Sequence, residues 1–249
     1  KSIQLEKNIS LSNFTTWRIG GPAEWIAQPK NIEEIKYLIT WINMKKIPCN
    51  IIGAGSNLLI NDIGIKGLSL CMRNFKGIQI DKNSGIIEAL SGEMLPTLAR
   101  KAAVSGLHGL EWAVGIPGTI GGAVVMNAGA QSNCISDYLE SITTLSLKGE
   151  YKMIKCKDLN FGYRDSLLQN EKLIVVSVRL KLVSGQAEKI RKVTDENLNN
   201  RLKTQPYKSQ TCGSVFRNPE PLKAAKLIEE LGLKGFRVGG AEISKIHSN

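Results

Sequence analysis

Residues 115–130 read GIPGTIGGAVVMNAGA, a composition that fits neither a linker nor a regular helix. Five glycines (Gly115, Gly118, Gly121, Gly122, Gly129) are threaded with the apolar Ile116, Ile120, Val124, Val125 and Met126. A flexible linker would carry polar spacers in place of those side chains. An ordinary helix would lose about 1 kcal/mol at each glycine relative to alanine. The stretch therefore suits a buried loop whose backbone takes unusual dihedrals and approaches something closely. Bare N–H groups in such a loop form a cradle for phosphate.

A second glycine loop, Gly53-Ala54-Gly55-Ser56-Asn57, follows Cys49-Asn50-Ile51-Ile52, which reads as a buried strand, and leads into the apolar Leu58-Leu59-Ile60. It lacks the third glycine of the dinucleotide fingerprint, is followed by a strand-like run, and has no acidic residue at a strand end about 20 positions on, so a Rossmann site is not supported. Neither loop carries the lysine of an ATP-type phosphate loop. Two such loops, each leaving an apolar run, are best explained together, facing one pyrophosphate.

The bulk properties are those of a globular chain with a sizeable core: 249 residues, 42% hydrophobic and 22% charged. No apolar run approaches the roughly 20 residues of a membrane-spanning helix, and the start KSIQLEKNIS has no apolar signal core. Five scattered cysteines without a CxxC pair, and two histidines, argue against a zinc site and for free thiols in a reducing cytoplasm. The net charge of +11 is compatible with anionic ligands. Nucleic acid is not expected, because the basic residues are dispersed and no basic run alternates with aromatics.

Periodicity and turn chemistry outline the elements. Trp17 and Ile19 before Gly20-Gly21-Pro22, and Trp25 and Ile26 after it, read as two short strands. Asn31 caps a helix with Ile32, Ile35, Leu38, Ile39 and Ile42 inward, ended by Pro48. Short strands at 68–72, 78–80 and 86–90 precede a helix from Pro96 to Gly106. A hairpin pairs 142–147 with 151–154, and 173–182 is a strong strand. After Ser184-Gly185 come a polar helix at about 186–203 and another at 221–231. The irregular mixture implies an α+β fold.

The loop ending in Asn57, the 115–130 stretch, Tyr163-Arg164-Asp165-Ser166 and Gly213-Ser214-Val215-Phe216-Arg217-Asn218-Pro219, in this order, closely resemble the UDP-N-acetylenolpyruvoylglucosamine reductase family, shorter type. TTWRIGGPAEW and GFRVGGAEIS extend the resemblance over nearly the whole chain. It implies the two-subdomain FAD-binding fold of the vanillyl-alcohol oxidase type over 1–183 (subdomains about 1–65 and 66–183). A C-terminal substrate-binding subdomain over 184–249 follows, with its last part lying beyond the chain.

By that resemblance, non-covalent FAD would be held by Ile52, Gly53, Ala54, Gly55, Ser56, Asn57 and Leu58, by Gly115, Ile116, Pro117, Gly118, Thr119, Gly121 and Gly122, and by Asn127, Ala128 and Gly129. The implied reaction moves a hydride from NADPH through the flavin to C3 of the enolpyruvyl group of a UDP-sugar, and a proton to C2, in bacterial peptidoglycan precursor synthesis. Arg164 would stabilise the developing negative charge and Ser214 would donate the proton. Tyr163, Arg164, Ser214, Arg217 and Asn218 would bind the substrate. These types suit the chemistry: a guanidinium grips a carboxylate with two parallel hydrogen bonds, and a hydroxyl beside a cation can protonate a strongly basic enolate. The bland readings are a surface salt bridge from Arg164 to Asp165 and a turn or cap hydroxyl at Ser214. The family's catalytic glutamate lies in a LEPEV-like segment, which Glu242 does not match, so none is assigned before Asn249. A cytoplasmic monomer without a metal is expected. The alternatives are another FAD-dependent oxidoreductase on this scaffold, or a non-enzymatic nucleotide or polyanion binder.

Overall fold

The computed structural model describes residues 3–249. The chain opens with β1 (Leu5–Ser10), β2 (Pro22–Ala27), α1 (Ile32–Lys45), β3 (Cys49–Ile52) and β4 (Ile65–Cys71). They form a four-stranded sheet in the order β1-β2-β4-β3, antiparallel between β1 and β2 and parallel elsewhere. α1 starts where expected because the Asn31 side chain accepts the Glu34 N–H at 3.0 Å. It buries Ile35, Leu38, Ile39 and Ile42 in one stripe.

The second body begins with β5 (Ile78–Asp81), β6 (Ile86–Leu90), α2 (Leu95–Val104), β7 (Leu107–His108), α3 (Ile120–Val125) and the tiny ribbon of β8 (Gly129–Ala130) and β9 (Asn133–Cys134). It continues with β10 (Leu139–Ser146), β11 (Tyr151–Lys155) and β12 (Leu173–Lys181). The order β11-β10-β12-β6-β5 is antiparallel throughout. On its core face, Ile87, Ala89, Val178 and Leu180 pack with Leu95, Leu98 and Ala102 of α2 and with Ile120 and Val124 of α3. On the outer face Arg179 reaches both Glu88 and Glu140. Leu145, Ile174 and Val176 of this sheet join the cluster of α1 and β4. One apolar layer thus ties the two sheets together and fixes the gap between them.

β13 (Val183–Ser184) pairs with β7, and α4 (Ala187–Thr204) then packs on α2 and on the 3-10 turn Glu111–Gly115. α5 (Ala224–Glu230) and a short ribbon of β14 (Arg237–Val238) and β15 (Ala241–Glu242) finish the chain. The fold is α+β, as expected.

Four local expectations are corrected. Trp17 and Ile19 lie in no strand: Arg18 has φ +58°, and the Thr15 hydroxyl donates to the Ile19 carbonyl at 2.9 Å, closing a turn. The antiparallel partner of β2 is instead β1. Leu58-Leu59-Ile60 forms no strand, and Ile60 is buried against Gly20. The 115–130 stretch is not loop throughout, since Thr119 accepts the Gly122 N–H and caps α3. Gly121 is tolerated there because a Cβ would stand 2.7 Å from the Ser91 Cβ, so helix and turn can only meet this closely at glycine. The last helix begins at Ala224, three residues after Pro221.

Candidate functional site

Both glycine loops leave buried elements and meet. Ile52 ends β3 in the core, and Gly53 sits so close to Thr119 that a Cβ would lie 2.6 Å from its Oγ1. The Ser56 hydroxyl donates to the Pro117 carbonyl at 2.8 Å. Gly55, at φ +69°, is pressed onto Phe14, whose carbonyl would stand 1.9 Å from a Cβ. Ala54 is buried below the loop, while Asn57 and Pro117 are exposed and Ser56, Leu58, Ile116 and Gly118 half-buried. The N–H groups of Gly55, Ser56, Asn57, Gly118 and Thr119 have no protein partner among the described residues. A row of free donors on two touching glycine loops fits the diphosphate of a dinucleotide cofactor.

Beyond α3 the chain turns through Asn127, which is buried at φ +39°. Its side-chain amide donates to the Gly162 carbonyl at 3.0 Å and accepts the Ser136 N–H at 3.2 Å. This brings the 127–129 turn onto Phe161–Ser166. Arg164, itself at φ +56°, donates to the carbonyls of Asn127 at 3.3 Å and Gly129 at 2.6 Å. Ala128 is half-buried between them. Arg164 forms no ion pair with Asp165 among the described residues; Asp165 accepts the Ser166 N–H instead. The Arg164 guanidinium lies 5.2 Å from the Tyr163 ring centroid.

The C-terminal motif reaches the same place. Arg217 donates to the Arg164 carbonyl at 3.0 Å, and the Asn218 N–H meets the Tyr163 hydroxyl at 3.5 Å. Asn218 also accepts the Ala224 N–H at 3.1 Å, where α5 begins. Ser214 is exposed and makes no hydrogen bond to Arg164 among the described residues. Its segment is tied to the first body through Thr16, whose hydroxyl donates to the Thr211 carbonyl at 2.6 Å. Burial pushes the Cys212 thiol above its ordinary value, away from a thiolate nucleophile.

Three supports escaped the sequence reading. Arg73 donates to the carbonyls of Phe14 at 2.8 Å and Ala54 at 2.5 Å, bracing the first loop. Arg201 lies against Gly115, and the Tyr207 hydroxyl donates to the Gly115 carbonyl, bracing the second. Ser91 lies beneath α3 with its hydroxyl buried and unpartnered among the described residues. Each sits in a segment that periodicity treats as plain turn or charged helix, so no local signal marks it. Groups of His, Cys, Asp or Glu able to hold a metal are absent among the described residues, as is a helix long and apolar enough to cross a membrane.

Comparison with known proteins shows what the chain is similar to. Residues 23–155 match a family model described as an FAD binding domain, and residues 205–249 match the C-terminal domain of UDP-N-acetylenolpyruvoylglucosamine reductase. A curated protein of that name from Prochlorococcus marinus (strain NATL2A) is 86% identical over 248 residues, covering 100% of this chain and 85% of the relative. The protein of the same name from strain MIT 9313 is 57% identical, covering 100% and 82%. Among solved structures, UDP-N-acetylenolpyruvylglucosamine reductase from Thermus caldophilus superimposes with a TM-score of 0.86 at 37% identity, covering 99% of this chain and 87% of that one. The 6-hydroxy-D-nicotine oxidase of Arthrobacter nicotinovorans (TM-score 0.57, 16% identity, 73% and 42% covered) shares the fold alone.

Proposed function

The chain belongs to the UDP-N-acetylenolpyruvoylglucosamine reductase family, FAD-dependent oxidoreductases of the vanillyl-alcohol oxidase fold, and from that premise we propose that it reduces the enolpyruvyl group of UDP-N-acetylglucosamine enolpyruvate to UDP-N-acetylmuramate. NADPH is the electron source and peptidoglycan precursor synthesis the setting. The single observation that supports this best is the junction of the 127–129 turn, Arg164 and Arg217, where cationic side chains and a glycine turn converge one short helix, α3, away from the second glycine loop.

When bound, FAD supplies the hydride carrier between NADPH and the enolpyruvyl double bond. The residues proposed to hold it are Ile52–Leu58, Gly115–Thr119, Gly121, Gly122 and Asn127–Gly129. Arg164 uses two carbonyls to fix its own position and keeps further N–H donors for the substrate carboxylate, where charge accumulates during reduction. Ser214 gives its hydroxyl proton to C2, where the strongly basic enolate makes a hydroxyl a competent acid. Tyr163, Arg217 and Asn218 orient the sugar nucleotide. In this reading 1–65 and 66–183 hold the cofactor, 184–249 cover the substrate, and the protein works as a cytoplasmic monomer.

Ser214→Ala separates the steps. It keeps flavin reduction by NADPH near the wild-type rate and loses turnover of the sugar nucleotide by about 10²- to 10⁴-fold. Equal loss in both half-reactions rejects the proton-donor role. Oxygen consumption with an alcohol substrate, and none of the enolpyruvyl sugar nucleotide, would favour an oxidase reading instead.

A further inference from the structure

Arg201 stands half-buried in the last turn of α4. Its Nε is sealed from solvent and has no hydrogen-bond partner, and the side chain forms no ion pair among the described residues. Guanidinium groups elsewhere in the site behave otherwise: Arg73, Arg164 and Arg217 each donate to named carbonyls. A permanently charged group with an unsatisfied buried donor is costly, and such groups are normally satisfied by a partner of some kind. Among the described residues the protein supplies none.

Its position indicates what could. A Cβ at Gly115 would stand 2.4 Å from the Arg201 Cδ and 2.9 Å from the Tyr207 hydroxyl, so glycine alone lets α4 close onto the second loop. Tyr207 then fixes the Gly115 carbonyl with its hydroxyl. Immediately downstream, the N–H groups of Gly118 and Thr119 are free of protein partners among the described residues. An unpaired cation whose stem packs on Gly115 of this loop, and the unpaired amides of the loop itself, share a single complementary chemistry, a phosphate anion, which a planar guanidinium meets with two parallel hydrogen bonds.

We propose that Arg201 is a ligand-binding residue for the diphosphate of a bound nucleotide, held in place by Tyr207 and Gly115. The inference rests on the reading of the site as one for FAD and a UDP-sugar, and these supply two diphosphates of the same chemistry.

The test measures FAD binding to flavin-stripped protein by fluorescence quenching, and UDP binding to the FAD-loaded protein by calorimetry, for wild type, Arg201→Gln and Arg201→Lys, each at low and high salt. Thermal unfolding of the stripped proteins reports folding. The expected result is about tenfold weaker binding of one ligand in Arg201→Gln and about threefold in Arg201→Lys, with a shallower salt dependence in Arg201→Gln and unliganded melting unchanged in Arg201→Lys. Loss confined to FAD assigns the residue to the cofactor, and loss confined to UDP assigns it to the substrate. Arg201→Lys keeps the packing stem and decides the matter if Arg201→Gln does not fold. Unchanged affinity for both ligands overturns the proposal while leaving the parent reading intact. Wild-type protein that takes up neither FAD nor UDP overturns both.

Discussion

Arg164 shows how one residue can be legible by type and illegible by role. Its place in FGYRDS and its charge mark it out, yet the sequence gives no sign that its first duty is to hold the carbonyls of Asn127 and Gly129 from a backbone at φ +56°. Arg164→Lys keeps the charge and loses the fork that spans both carbonyls. It is expected to lower kcat/KM by about 10²-fold or more while FAD remains bound, as steady-state kinetics and flavin absorbance together will show. Ser214 was equally legible through its motif, whereas its exposure, and the long tie from Thr16 to Thr211, depend on residues 195 positions apart that no local pattern connects. Cys49 offers a separate check on the core. Burial raises its thiol from 9.0 to about 11. A folded state that resists ionisation is favoured fully below 9.0 and loses that advantage as pH rises through about 11. Urea midpoints between pH 8 and 11 should therefore fall less steeply in Cys49→Ala than in wild type.

At the scale of elements, the sequence was most informative where one helix face or one strand face meets the core. α1, α2, α4 and β12 appear close to where periodicity and capping put them, because Asn31, Pro96 and alternating burial are local signals. The failures were tertiary. The apolar run at 58–60 lacks strand partners, and the glycine pair at 121 and 122 argues against a helix by propensity, although a Thr119 cap and contact with Ser91 support a short helix there. The two glycines then behave oppositely. Gly121→Ala should destabilise by about 1–3 kcal/mol, since its methyl enters the Ser91 backbone and side chain. Gly122→Ala meets only the Thr119 Oγ1 at 3.5 Å and should stabilise by up to about 1 kcal/mol in chemical denaturation. If the loop approaches FAD closely, as proposed, the same Gly122→Ala protein binds FAD more weakly; stability and affinity moving in the same direction would count against that approach.

On the scale of the whole molecule, two sheets share an apolar layer, and the glycine loops, one leaving β3 and the other the 3-10 turn Glu111–Gly115, meet at Ser56 and Pro117. The C-terminal residues then reach over Tyr163 and Arg164. The opening stretch of 115–130 is thus half of a clamp whose other half lies some sixty residues away, a pairing that composition suggested and only the fold could bring into contact. In the proposed function this clamp and the arginine-lined junction at the end of α3 form one redox site. The direct measurement is anaerobic stopped-flow absorbance of the FAD-loaded protein, mixed first with NADPH and then with UDP-N-acetylglucosamine enolpyruvate. The yellow flavin band is expected to bleach in the first mixing and to return in the second. A band that bleaches with NADPH but stays bleached in the presence of the sugar nucleotide would contradict it.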